Sequence, residues 1–164
     1  MSYNQYGDCM ATNAIRLVQQ AGIPCEERFY DYDENDLDAC HAADAIGLPP
    51  EQVFKTLVTR GAQGGIFVFC IPANCELNLK KAAKAAGEKS IALVPVKELL
   101  SLTGYIRGGC SPVGMKKKYP TFLEEACILY DTIAVSAGQR GHQMLLPPLA
   151  LASLIDAKIQ DIIT

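Results

Sequence analysis

No apolar run in the 164 residues approaches the roughly 18 that a membrane-spanning helix needs. The start, Met1-Ser2-Tyr3-Asn4-Gln5, has neither the basic residues nor the apolar stretch of a secretory signal, so a cytoplasmic protein is expected. Basic charge is not in excess either. Fifteen Lys and Arg against eighteen Asp and Glu leave a net charge of −3 and a pI near 5.4, which excludes a protein that coats nucleic acid through a wholly basic face. Any nucleic-acid contact must be local. Histidine is scarce, with only His41 and His142. The seven cysteines fall at no zinc spacing, since Cys70 and Cys75 stand alone and Cys40-His41 are adjacent. An odd number of scattered cysteines is read as reduced thiols packed in a core, and no metal site is expected. There is no repeat, linker or low-complexity segment, and the length suits one domain over residues 1–164.

What is present is a succession of amphipathic segments. Ala14, Leu17, Val18 and Ala21 recur at helical spacing before Gly22, which predicts a helix over residues 12–21 after a frayed start. Residues 26–32 read as extended, and Asp36 reads as the cap of a second helix marked by Leu37, Cys40 and Ala43 and ending at Ile46 or Gly47. Residues 53–58 are β-type. Residues 66–71 are apolar on both faces, as in a strand covered on each side, and the glycines of 61–65 suit a hairpin between the two. Asn78 caps a helix over 79–86 that Gly87 ends, with Lys80, Lys81 and Lys84 toward water. Further strands are predicted at 91–94, 105–107, 127–131, 132–136 and 144–146. A helix over 96–103 ends at Gly104, and a last helix starts at Pro147 or Pro148 and runs to Ile155. The fold class is therefore α/β: a mixed, partly barrel-like β-sheet surrounded by helices.

Two features invite chemistry. Lys55 shares one face of its strand with Val53 and Leu57, and an ammonium on an apolar strand either snorkels from a sheet edge or points into a polar pocket. The segment Gly108-Gly109-Cys110-Ser111-Pro112-Val113-Gly114 holds three glycines and a proline. Such a loop lets backbone N–H groups converge on an anion, although glycine-rich turns are common and this one matches no phosphate-loop fingerprint. The adjoining Lys116-Lys117-Lys118, with Arg107 nearby, is either a solvated surface or a local contact for a nucleic-acid backbone. Cys110 in this loop is a candidate thiol nucleophile, but no spacing pairs it with either histidine.

Four ordered motifs carry a resemblance: Gly47-Leu48-Pro49-Pro50-Glu51-Gln52-Val53-Phe54-Lys55-Thr56-Leu57; Leu77-Asn78-Leu79-Lys80-Lys81; Gly104-Tyr105-Ile106-Arg107-Gly108-Gly109-Cys110-Ser111-Pro112-Val113-Gly114; and Ser136-Ala137-Gly138-Gln139-Arg140-Gly141. Together they resemble the YbaK/ProX family of trans-editing aminoacyl-tRNA deacylases, related to the insertion domain of bacterial prolyl-tRNA synthetases. The resemblance implies hydrolysis of mischarged aminoacyl-tRNA, with Cys-tRNA(Pro) the usual substrate of the YbaK-like branch, and no metal or other cofactor. It implies a partner in the aminoacylated 3′ end of tRNA, with prolyl-tRNA synthetase a second. Lys55 matches the family lysine, which would hold the terminal nucleotide, and Tyr30 matches the tyrosine of the early strand. Gly109 and Ser136 complete the implied catalytic set. Thr56, Gly108, Ser111, Pro112, Gly114, Lys116, Gly138 and Gln143 are the implied substrate-binding residues. In this branch the substrate's own thiol attacks the ester and leaves as a thiolactone, so Cys110 is not required. Two departures, at Asp38 where a relative can carry an aromatic and at Gln143 where one can carry a carboxylate, bear on which amino acid is removed. A non-catalytic module that binds tRNA or a synthetase through the same pocket is the alternative.

Overall fold

The computed structural model describes residues 11–164; the expectation of a frayed start falls outside the described residues. Among these residues the chain forms five α-helices and eight strands in two sheets. Helix α1 (Asn13–Gln20) starts where the Thr12 side chain accepts from Ile15 N–H and buries Ala14, Ile15 and Val18. Strand β1 (Glu26–Phe29) follows. Helix α2 (Ala39–Ala45) is capped by Asp38, which accepts from Cys40 N–H, and not by Asp36. Asp36 is held instead in a tight bridge with Asp33 and an ion pair with His41 at 3.1 Å, so the helix starts later than the spacing predicted.

Strands β2 (Phe54–Gly61) and β3 (Ile66–Pro72) form the predicted hairpin, closed by a bond from Gly61 N–H to Gly65 O, with Gly64 at φ +93°. Residues of β3 enter two different cores. Val68 and Cys70 face α1 and the other sheet, while Phe69 and Ile71 face helix α3 (Leu79–Ala86). This is the two-sided burial the apolar run called for. Asn78 caps α3 and Gly87 ends it in the left-handed region. Strand β4 (Ile91–Leu93) and helix α4 (Val96–Thr103) also lie where periodicity puts them.

The next two predicted strands do not form. Residues 105–107 are a loop between Gly104 and Gly108, both at positive φ, because Tyr105 spends its N–H on the Thr103 hydroxyl and its phenol on Val113 O. Residues 127–129 fall in a 3-10 turn (Glu125–Leu129) and 130–131 in the bend after it; the turn is wound by Glu124 accepting from Ala126 N–H at 2.7 Å, and this exposes Ile128 and Leu129. The strand is earlier, at β5 (Thr121–Glu124), buried throughout and parallel to β3. Strand β6 (Ile133–Gln139), strand β7 (His142–Leu146) and helix α5 (Pro148–Leu154) follow. The short β8 (Lys158–Gln160) adds in parallel to β5, too brief to read from pattern.

One sheet runs β1-β7-β6 and the other β4-β2-β3-β5-β8. They do not close into a barrel. They touch through a parallel bridge between Val53 and Ala134, and the main core fills the angle between them.

Candidate active site

A cavity of about 470 Å³ opens where the two sheets separate. Beyond the Val53–Ala134 bridge, β2 and β6 diverge, and β4 covers β2 only from Thr59 onward. The stretch 54–57 is thus an open edge inside the molecule, and the cavity runs along it. The two readings of Lys55 meet here: it stands at a local sheet edge, and it lines the pocket. Half-buried, its Nζ donates to Ala73 O at 3.1 Å. An ammonium has three donors, so the remaining protons can meet an anionic ligand.

Tyr30 enters from the end of β1, tied by its N–H to Gly141 O at 2.9 Å. Burial pushes its phenol pKa up, and the adjacent Gln143 amide works against that shift. Ser136 and Gln143 face one another across β6 and β7 and line the same cavity. The Ser136 hydroxyl accepts from Gly138 N–H at 3.1 Å, which leaves its proton for a ligand. Gln143 is 6% exposed, and its Oε1 has no hydrogen-bond partner among the described residues. Thr56, Gly108 and Cys110 complete this wall, with Arg107 at the loop. Asn35, Asp36, Leu37, Asp38 and Ala39 line it as well, with Leu37 against Gly108, and make an acidic wall. Apart from Asp38, the sequence held no signal for that acidic wall, because packing of the loop before α2 is what sets these consecutive residues on the cavity.

The remaining residues of the glycine-rich loop stand behind the cavity. Gly109 spends its N–H on Ile106 O at 2.9 Å. A side chain there would meet the backbone of Gln139 and Arg140 at 3.0–3.2 Å, so its bareness lets the loop lie against the β6–β7 turn. Arg140 fastens that contact by donating from Nε to Arg107 O at 2.8 Å. Ser111 is fully buried and accepts from Val113 N–H. Gly138 (φ +106°) and Gly114 (φ +81°) both lie against Tyr105. Pro112 and Gly114 line a second cavity of about 310 Å³, with Lys117, Lys118 and Tyr119. Lys116 lays its stem over Gly104.

Cys110 lines the cavity, but burial pushes its thiol up to about 12, against a hydrogen bond with Thr103. At neutral pH it is not a thiolate, and the thiolate is the nucleophile. The histidines are engaged elsewhere. His41 pairs with Asp36. His142, 2% exposed and stacked on Phe29 with ring centres 4.2 Å apart, meets Glu27 Oε1 at 2.8 Å. This pair of a buried histidine with an exposed carboxylate is not legible in the sequence, since nothing in the spacing links residues so far apart. Among the described residues no cluster of three or more His, Cys, Asp or Glu is placed to hold a metal ion, and no helix is long and apolar enough to cross a membrane.

The arrangement presents a cation, a hydroxyl, a phenol and an amide around an open strand edge, with no activated enzyme nucleophile. It suits orientation of a ligand that carries both an anion and a polar acyl group. Known proteins resemble the chain in sequence and fold. The Enterococcus faecalis protein EbsC, a proposed Cys-tRNA(Pro)/Cys-tRNA(Cys) deacylase, is 46% identical over 153 residues, covering 93% of each chain. A solved structure described as a proposed trans-editing enzyme for prolyl tRNA synthetase superposes with a TM-score of 0.76 at 26% identity, over 93% of this chain and 98% of that one. The proline–tRNA ligase of Fervidobacterium nodosum is 32% identical over 85 residues, 52% of this chain and 15% of the ligase. The family model for the aminoacyl-tRNA editing domain matches residues 34–154. On these grounds, and on the ordered motifs that line or brace the cavity, the chain belongs to the aminoacyl-tRNA editing domain family.

Proposed function

We propose that the protein is a trans-editing deacylase that cleaves the ester of mischarged aminoacyl-tRNA, with Cys-tRNA(Pro) as its principal substrate, and that residues 1–164 work as one cytoplasmic editing domain. The observation that carries this reading is Lys55, its Nζ held by Ala73 O beside the open edge of β2, lining one cavity with Ser136, Tyr30 and Gln143. In this reading Lys55 holds the terminal phosphate or ribose, and Ser136 and Tyr30 orient the acyl end. No side chain need attack. For a cysteinyl ester the substrate thiol adds to the carbonyl carbon, the C–O bond to ribose breaks, the thiol proton passes to the ribose oxygen, and a thiolactone leaves. For other acyl groups water takes the thiol's place and a free amino acid leaves. Orientation within such a site is itself a large rate factor. Gln143, neutral where a relative can carry a carboxylate, and Asp38, where one can carry an aromatic, tune the acyl pocket. Prolyl-tRNA synthetase is the proposed partner that delivers the tRNA.

The test is deacylation of Cys-, Ala-, Ser- and Pro-charged tRNA(Pro) by wild type and Lys55→Ala. Cys-tRNA(Pro) is expected to be the best substrate. Loss of a charge-assisted contact worth roughly 1.5–3 kcal/mol lowers kcat/KM by about 10- to 100-fold. Equal rates in the two proteins would remove Lys55 from the site. Tight, salt-sensitive tRNA binding with no turnover would favour the non-catalytic binding module instead.

A further inference from the structure

Phe54, Lys55, Thr56 and Leu57 all line the cavity, although side chains of successive strand residues leave on opposite faces. One cavity can touch all four only along the strand's edge, through main-chain atoms. Two bonds set which main-chain groups point there. Ala73 N–H donates to Val53 O at 2.7 Å, so the odd-numbered residues of β2 turn their N–H and C=O toward β3. Val94 N–H donates to Val58 O at 3.0 Å, so the even-numbered residues turn theirs the other way, toward β4. Among the described residues no strand is paired with Thr56 on that side, because β4 pairs only from Thr59 and β6 is bridged only at Val53. The Thr56 N–H and C=O therefore leave the open edge side by side into the cavity. The Thr56 hydroxyl is turned away, 3.8 Å from Cys70 Sγ.

An aminoacyl ester carries the atom order N–Cα–C=O, the same as a strand residue. In an antiparallel pair, two facing residues exchange both N–H···O bonds. Resting on the deacylase reading above, we propose that the aminoacyl group docks on Thr56 as a one-residue strand. The substrate α-ammonium donates to Thr56 C=O, and the ester carbonyl accepts from Thr56 N–H. As a nucleophile bonds to the carbonyl carbon and the π electron pair moves onto oxygen, Thr56 N–H is the donor that meets the oxyanion. The ribose oxygen then leaves with the proton of the nucleophile. Gly109 N–H cannot serve in its present bond, since Ile106 O holds it. Main-chain pairing is blind to the side chain, so choice among amino acids falls to the Tyr30, Ser136 and Gln143 wall.

The test replaces the Thr56 amide by an ester, incorporating the α-hydroxy analogue of threonine in the full chain, with the same replacement at Thr59 as control. Thr59 N–H faces β3, so the control reproduces the loss of a backbone donor away from the cavity. Deacylation by the Thr56 ester is expected to fall by roughly 10²-fold, the scale of one oxyanion donor, with the Thr59 ester near wild type. A Thr56 ester as active as the Thr59 ester overturns the proposal. A second arm needs no altered protein. The 3-mercaptopropionyl ester of tRNA(Pro), which lacks the α-amino group, is expected to lose at least about tenfold in acceleration over its own uncatalysed rate relative to Cys-tRNA(Pro), as for a lost charge-assisted bond. Equal acceleration overturns the proposal while the deacylase reading stands. A wild-type protein that turns over none of the charged tRNAs sinks both.

Discussion

His142 shows how one side chain ties the stability of the fold to pH. It is buried between Phe29 and Glu27, and burial lowers its pKa more than Glu27 raises it. The folded protein therefore binds the proton less readily than the unfolded chain, whose histidine titrates near 6.5. Stability from this group is complete above that value and is lost as pH falls below it toward the folded pKa. Thermal unfolding followed from pH 7.5 to 5.5 is expected to show a falling Tm with a smaller slope in His142→Gln; equal slopes would rule out this group as the source. Cys110 is the opposite case, a residue whose chemistry is suppressed by its surroundings. With its thiol pushed up to about 12 by burial, Cys110→Ser is expected to retain deacylation within a few-fold, and loss of all activity would reinstate an enzyme thiol as nucleophile.

At the scale of elements, the site depends on turns that cannot carry side chains. Gly141 closes the β6–β7 hairpin at φ +74°, and a Cβ there would stand 2.6 Å from Tyr30 O. Its carbonyl also accepts the Tyr30 N–H. Gly141→Ala is expected to cost about 1–3 kcal/mol in chemical unfolding through backbone strain and to lower activity further by displacing Tyr30. An unchanged midpoint with full activity would show that the hairpin yields without cost. The helices were legible because their signals are local. Asn78 and Gly87, or the stop at Gly104, act within one turn of the residues they cap. The 127–131 segment misled because Ile128 and Leu129 look like strand residues, yet the Glu124 carboxylate turns the chain and leaves both exposed.

For the whole molecule, the net charge of −3 means that tRNA is held by a few local cations and not by a field. Arg107 lies at the cavity and Lys117 and Lys118 border the second one, so few contacts with phosphate are expected. The logarithm of tRNA affinity against that of salt concentration is expected to have a slope of about −1 to −3, at roughly 0.7–0.9 per phosphate contact. A slope steeper than about −5 would demand a broad basic surface that the composition does not supply.

Composition, periodicity and the ordered motifs determined by themselves that this is a mixed α/β chain, that Lys55 is oddly placed for an apolar strand, and that the chain resembles the editing deacylases. Those properties reside in local spacing and residue type. Tertiary structure alone decided that β4 pairing falls short of Thr56 and that β6 is bridged to this strand only at Val53. An open edge is a statement about which strand is missing, and no residue in the strand records the absence of its neighbour. The same holds for the Glu27–His142 pair and the wall at Asp36 and Asp38, which chain reversals bring together.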